Sequence, residues 1–145
     1  MRIHTIGFTK KSAERFFSLL KGSGARRLVD VRLNNVSQLA GFAKTDDLAY
    51  FLREVCGMGY VHVPLLAPTQ DMLDRFKKLK GQWNTYETEV LALMRQRAIE
   101  TNVTREIMDG GCMLCSEDTP ERCHRRLVGE YLRDKWGDVE IVHLV

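Results

Sequence analysis

The sequence predicts a three-layer α/β fold, in which a mainly parallel sheet of about five strands carries helices on both faces. Five short apolar segments alternate with segments whose apolar residues recur at helical spacing. Glycine, proline and helix-capping residues separate most of these segments. The first strand, helix and strand fall within about 30 residues, the length of a βαβ unit, and such a unit joins two parallel strands by a right-handed crossover. Alternation of this kind is typical of a parallel sheet covered on both sides.

The N-terminal half is predicted to contain three strands and two helices. Thr9 or Ser12 can cap the first helix, and glycines follow it where helices commonly end. The second helix, which Thr45 or Asp46 can cap, follows an irregular polar loop. Prolines after the third strand prevent it from continuing as a central strand. The predicted bounds are Arg2–Ile6, Arg27–Val31 and Tyr60–Val63 for the strands, Ala13–Lys21 and about Asp46–Cys56 for the helices, and Asn34–Lys44 for the loop.

The C-terminal half is predicted to contain three helices and the last two strands. Cys112–Cys115 is an apolar run that indicates a strand buried on both faces. The last long helix is expected to begin with Thr119 as its cap and Pro120 at its first position, where proline is favoured. The remaining bounds are Asp71–Leu79, Trp83–Arg97 with a continuation to Met108 as one bent helix or two, the last helix to about Trp136, and a strand at Val139–Val145.

Length and composition indicate one α/β domain over residues 1–145. With 44% hydrophobic and 28% charged residues, the chain can bury a core without disulfides. No apolar run approaches the roughly 20 residues that a membrane helix needs, and the first residues lack the apolar region of a signal peptide. We therefore expect a cytoplasmic protein without a membrane partner and with reduced thiols. The net charge of +3 permits an anionic partner without requiring one, and the oligomeric state is left open.

The stretch from Gly111 to Leu127 holds three of the four cysteines, one histidine and several arginines. Cys112 and Cys115 have the spacing of half a zinc site, with Cys123 and His124 as possible partners. Residues three apart in a strand, however, point to opposite faces and lie about 10 Å apart. We therefore interpret Cys112 as a small core residue and expect neither a metal site nor a cofactor.

Cys115 stands at the carboxyl end of its predicted strand and is a candidate nucleophile. Together with the earlier segment LVDVR, this position is similar to that of the nucleophile in rhodanese-like sulfurtransferases and cysteine phosphatases. Those families follow the cysteine with an anion-binding loop closed by arginine. Here Ser116, Glu117, Asp118 and Pro120 follow instead, and two carboxylates would raise the pKa of a nearby thiol and repel an anion.

A second group of polar side chains is expected to converge on the same edge of the sheet. Asp30 and Arg32 flank Val31, so both emerge on one face of the strand. We expect Asp30 to give structural support, and Arg32 and Ser37 to bind an anion together with Cys123 and Arg125 from the start of the last helix. Glu117 or His124 would move a proton, although His124 could instead simply bond a backbone group at a strand end.

The segments TIGFT, LVDVR, GYVHVPLLAPT and LCSEDTPERCHRRL, in this order, resemble the family known as domain of unknown function 488. In the loop after LVDVR, Val36 and Gln38 stand where the commoner pattern of that family has proline and arginine. The resemblance implies the α/β fold over essentially the whole chain and names no reaction. From the residues, we favour a protein that binds a phosphate-bearing small molecule or nucleic acid and possesses a potential acid–base pair. The alternatives are a non-catalytic nucleic-acid or anion-binding module and a rhodanese-like cysteine enzyme.

Overall fold

In the part of the chain that the structure describes, five parallel strands form one sheet, and their order across it is β3–β2–β4–β1–β5. The computed structural model describes residues 1–35 and 41–145. The three-layer α/β fold with about five strands is confirmed. The strands are β1 (Arg2–Gly7), β2 (Arg27–Asp30), β3 (Gly59–His62), β4 (Gly111–Cys115) and β5 (Glu140–Leu144).

Seven α-helices connect the strands in the described part of the chain. Two of them continue into a wider, π-helical turn, α2 as far as Cys56 and α3 as far as Lys78. None of the helices in residues 1–35 and 41–145 is long and apolar enough to cross a membrane. The helices are α1 (Ala13–Ser23), α2 (Thr45–Phe51), α3 (Gln70–Leu73), α4 (Trp83–Gln96), α5 (Ile99–Asn102), α6 (Arg105–Met108) and α7 (His124–Trp136).

Each face of the sheet is covered by its own apolar core. On one face, Phe16 and Leu20 of α1 and Leu48 of α2 pack against Cys112 and Leu114 of β4. The opposite core buries Met113 and Cys115 with side chains of α4, α5 and α7. Successive residues of β4 therefore enter different cores, as strand alternation requires. Cys112 is the core residue that the sequence predicted, and it faces away from Cys115.

The start of the last helix is the main error of the sequence prediction. α7 begins at His124 rather than after Thr119, and extended Cys123 occupies the cap position. Pro120 instead begins a turn in which the Cys123 amide donates to the Pro120 carbonyl at 3.2 Å. The Arg126 side chain donates to the Pro120 and Glu121 carbonyls, so those acceptors are satisfied without a helix.

Smaller differences arise where tertiary contacts compete with local signals. Ser12 caps α1 as predicted, but Lys44 and not Thr45 or Asp46 precedes α2. The Thr45 hydroxyl donates to the Tyr60 hydroxyl instead. The predicted continuation of α4 is broken at Ala98, whose left-handed backbone separates α4 from the short helices α5 and α6.

The order of the strands places a crevice at the carboxyl ends of β2 and β4. These two strands are neighbours, but the chain leaves β2 toward α2 on one face and leaves β4 toward α7 on the other. The connections therefore diverge, and open α/β sheets bind their ligands at such a switch point. The fold thus brings the segment after Asp30 and the segment after Cys115 to one opening.

Candidate functional site

A cavity of about 110 Å³ lies at this switch point. It has room for several water molecules or for one group of the size of phosphate. Residues after β2 and β4 line it together with α4, the start of α7 and the helical segment that includes α3. The lining residues are Arg32, Leu33, Asn34, Pro68, Leu73, Phe76, Lys77, Tyr86, Cys115, Ser116, Glu117, Arg122, Cys123 and His124.

Arg32 enters the cavity wall as half of a buried ion pair. Its Nε donates to Asp30 Oδ1 at 2.9 Å and its Nη2 to Asp30 Oδ2 at 2.8 Å, which is bidentate pairing. The Tyr60 hydroxyl donates to the same carboxylate at 2.6 Å, and the guanidinium lies over the Phe8 ring. Among the described residues, Nη1 of Arg32 has no partner although it is buried. Arg32 is thus held rigidly and retains one buried N–H group that no described residue accepts.

Cys115, Cys123 and His124 form a buried cysteine–histidine cluster that also lines the cavity. Cys115 Sγ lies 3.2 Å from His124 Nδ1, and His124 Nε2 lies 2.8 Å from the Val31 carbonyl oxygen. A carbonyl only accepts, so Nε2 carries a proton and fixes the orientation of the ring. The backbone contact that the sequence suggested for His124 is present, and it directs Nδ1 toward the thiols.

The two cysteines of the cluster differ in acidity. The hydrogen bond with Cys123, together with burial, raises the pKa of Cys115 well above its ordinary value. Burial also opposes ionisation of Cys123, but hydrogen bonds from Cys115 and His124 and the charge of Arg125 outweigh it, so the pKa of Cys123 lies well below its ordinary value. Of the two thiols, Cys123 is therefore the more acidic, whereas the sequence named Cys115 as the candidate nucleophile.

Arg125 does not line the cavity but lies fully buried beneath its rim. Its Nη1 donates to the Glu117 carbonyl at 2.7 Å and its Nε to Thr5 Oγ1 at 3.3 Å. In the described residues it forms no ion pair with a carboxylate, and its charge is one of the causes that lower the pKa of Cys123. Arg125 thereby fixes the turn after β4 and favours the ionised form of Cys123.

Glu117 and Arg122 give the rim of the cavity its charge. The Glu117 carboxylate pairs with Lys77, so these two charges compensate each other. Arg122 is exposed and makes no hydrogen bond or ion pair with any described residue. It is therefore the cation at the rim whose charge no described residue compensates.

The structure brings most of the predicted site residues together. Arg32, Cys115, Glu117, Cys123 and His124 all line the cavity. Asp30 lies behind Arg32 as its ion-pair partner, and Arg125 lies beneath the rim, so the predicted direct contact of Arg125 with a ligand is not supported. Ser37 lies outside the described residues.

Sequence reasoning missed Arg122 and Lys77 as lining residues and interpreted Tyr86 as a core aromatic rather than as a residue that stacks on a base. Arg122 immediately precedes Cys123 and could have been found had the helix been started correctly. Lys77 and Tyr86 belong to segments whose packing no local pattern specifies. Tyr86 stacks on Phe76 with 4.5 Å between ring centroids, and burial and the nearby Cys115, Cys123 and Glu117 raise its pKa, so it remains neutral.

The model of the family described as domain of unknown function DUF488 matches residues 12–132, which is most of the chain. No curated protein and no solved structure matched.

Proposed function

The chain belongs to the DUF488 family, and we propose that its cavity binds a small ligand through a phosphate or similar oxyanion. The observation that carries this proposal is that two arginines line one cavity: Arg122, whose charge is uncompensated among the described residues, and Arg32, whose buried Nη1 has no acceptor among them. Bonds from guanidinium groups to an oxyanion are charge-assisted and about twice as strong as neutral ones.

The start of α7 supports the same ligand class. Cys123 and His124, at the first turn of this 13-residue helix, line the cavity. The free amide groups of a helix N-terminus and its dipole favour a bound anion. The Cys123 thiolate acts in the opposite direction, because a negative charge on the cavity floor repels an anion. Binding should therefore be stronger when that thiolate is protonated or otherwise neutralised.

The size of the cavity favours a terminal phosphate over a nucleic-acid backbone. A volume of about 110 Å³ accepts one oxyanion group and leaves the rest of the ligand at the surface. Many surface cations are already paired, including Lys77 with Glu117 and Arg75 with Asp71 and Glu89. A long basic stripe, the usual signature of nucleic-acid binding, would need such cations to be free.

Two groups at the cavity are suitable for moving a proton on a bound ligand. His124 and Glu117 both line the cavity, which is the condition that separates an enzyme from a simple anion binder. Glu117 would have to leave Lys77 to act, whereas His124 is already held with Nδ1 toward the cluster. Of the two groups, we therefore assign the acid–base role in the metal-free protein to His124.

The experiment is a thermal melting series with inorganic phosphate and with a nucleoside 5′-monophosphate. Phosphate stabilises many proteins by exclusion from their surface, so the informative quantity is the difference between variants. The wild type and Arg133→Ala, a change at an exposed arginine outside the cavity lining, should show the same rise in Tm. Arg122→Ala should retain only the general salt effect. An equal rise in all three proteins would refute the proposal.

A cysteine-dependent enzyme is the second candidate, and the acidity of Cys123 favours it. The thiolate is the nucleophilic form, and a helix N-terminus stabilises it. In metal-free protein at pH 7, iodoacetamide should modify Cys123 faster than Cys56, whose pKa burial raises. Peptide mass spectrometry distinguishes the two sites, and faster modification of Cys56 would remove this candidate.

A further inference from the structure

We propose that Cys115, Cys123 and His124 form a three-ligand zinc site whose fourth coordination position opens into the cavity. One ligand atom from each residue, two Sγ atoms and one imidazole nitrogen, lies within 4.8 Å of the others. All three side chains are buried and all three line the cavity. Two thiolates and one imidazole with an open fourth position form a known type of catalytic zinc site.

The distances in the cluster are close to those that zinc requires. Zn–S bonds of about 2.3 Å and Zn–N bonds of about 2.0–2.1 Å at tetrahedral angles place sulfur and nitrogen about 3.5 Å apart and two sulfurs about 3.8 Å apart. Cys115 Sγ and His124 Nδ1 are 3.2 Å apart, and all separations in the cluster are below 4.8 Å. Movements of less than about 1 Å would therefore complete the site.

The surroundings of His124 are those of a metal ligand. A ligating histidine commonly donates its second ring N–H to a backbone carbonyl or carboxylate, which fixes the ring and the tautomer. His124 Nε2 makes this contact with the Val31 carbonyl at 2.8 Å and leaves Nδ1 directed at Cys115. Val31 follows β2, so the sheet itself holds the ring in position.

Strand geometry excludes a zinc site that contains both Cys112 and Cys115, but the site proposed here does not include Cys112. Cys112 faces the opposite core from Cys115 and cannot share a metal with it. Cys123 reaches Cys115 because it is extended, with φ −133° and ψ 140°, at the cap of α7 rather than inside a helix. In the helix that the sequence predicted from Thr119, Cys123 would have had helical backbone angles instead of this extended conformation.

Zinc would also remove the electrostatic conflict in the cavity. The charges of two thiolates and one Zn²⁺ sum to zero. With the nearby Arg125, the base of the cavity then carries a net positive charge. A bound oxyanion could occupy the fourth position beside Arg122 and Arg32. The zinc site does not depend on that proposal, because it is argued from the geometry of Cys115, Cys123 and His124 and not from the donors of Arg122 and Arg32.

The test begins with protein stripped by a chelator and returned to metal-free buffer with a thiol-free reductant. Zn²⁺ is titrated against a chromophoric competitor, and one equivalent should bind. Co²⁺ should give a thiolate-to-cobalt charge-transfer band and the intense visible bands of a tetrahedral site. Cys123→Ser and His124→Ala should weaken zinc binding by more than about 100-fold, because even the loss of an outer-shell partner costs 10–100-fold. Cys56→Ser, at a cysteine outside the cluster, should bind as the wild type does.

A second measurement on the wild type covers variants that fail to fold. Zn²⁺ should protect Cys123 from iodoacetamide and leave Cys56 as reactive as before. Failure to bind one equivalent, or protection of Cys56 alone, would overturn the zinc site. Thermal melting of the metal-free protein with phosphate tests the anion proposal independently. A rise in Tm that depends on Arg122 can persist when zinc binding fails, and zinc binding can persist when phosphate causes no such rise.

Discussion

The carbonyl oxygen of Glu117 lies directly against the Cα of Gly7, so closely that a β-carbon at Gly7 would overlap it. The same oxygen accepts a hydrogen bond from Arg125 Nη1 at 2.7 Å, and the Thr9 amide donates to the Ser116 carbonyl at 3.1 Å. The end of β1 therefore supports the turn that carries Glu117 at the cavity rim. Only a residue without a side chain permits this approach.

Gly7→Ala should destabilise the protein by at least about 1–3 kcal/mol, because the atoms to be displaced are backbone atoms that cannot rotate away. Gly22→Ala is the matched control: Gly22 lies in α1 with open space around its Cα, and alanine there should stabilise by about 0.4–1 kcal/mol. Urea unfolding measures both. Equal stability of the two variants would show that the turn moves without cost.

Arg32→Leu should destabilise the protein by about 3–5 kcal/mol, because it leaves the fully buried Asp30 carboxylate without its cation. The double variant Asp30→Asn/Arg32→Leu should recover part of this loss, since no uncompensated charge remains. Chemical denaturation gives both values. For this reason Arg122, and not Arg32, is the appropriate site for testing anion binding.

The comparison for that series is Arg2→Ala, which breaks the exposed pair between Arg2 and Glu140. Exposed pairs contribute within about 1 kcal/mol. An Arg32→Leu variant that loses no more than Arg2→Ala would contradict the strong internal pair described for Arg32 and Asp30.

Acidification below about pH 6.5 should destabilise the protein in part through His143. Burial and the charge of Arg125 lower the pKa of His143, so between that value and 6.5 the unfolded chain binds more protons than the folded one. The Thr5 hydroxyl donates a hydrogen bond to Nδ1 of the neutral ring at 2.6 Å, and Thr5 Oγ1 in turn accepts one from Arg125 Nε. The contribution of His143 to the free energy of unfolding is fully present above pH 6.5 and is lost as the pH falls toward the lowered pKa.

His143→Gln should therefore lose less stability than the wild type between pH 7.5 and pH 5.5, as measured by urea midpoints. Some loss will remain, because burial also lowers the pKa of His4. An unchanged pH dependence in the variant would remove His143 from this account.

Arg125→Met should reduce the reactivity of Cys123 in metal-free protein. The Arg125 charge is one of the causes that lower the pKa of Cys123, so its removal should shift the pH profile of iodoacetamide modification upward. The variant should also be less stable by about 1–3 kcal/mol, since the Glu117 carbonyl loses its partner. Arg133→Ala serves as the control. A pH profile in Arg125→Met identical to that of the wild type would show that Arg125 does not lower the pKa of Cys123.

The sequence predicted the strands well because their signals are local. The apolar run of β4 and the alternation around Val31 define the two strand ends at the cavity, and so place Arg32 and Cys115 at one edge. The start of α7 was wrong because Thr119 and Pro120 are strong local signals, while the deciding contacts come from the Arg126 side chain. Lys77 and Tyr86 could not be placed, because helical periodicity states which face is buried but not what it packs against.

The position of β4 between β1 and β2 also determines when the protein can fold. β1 and β2 do not pair with each other: β2 pairs with β3 soon after it in the chain, whereas β1 pairs only with β4, which begins at Gly111, and with β5. A nascent chain therefore exposes unpaired strand edges until most of its length has been synthesised. Pairing across such sequence separations slows folding and prolongs the aggregation-prone stage. The strand that carries Cys115 is thus also the one that joins the β3–β2 pair to β1.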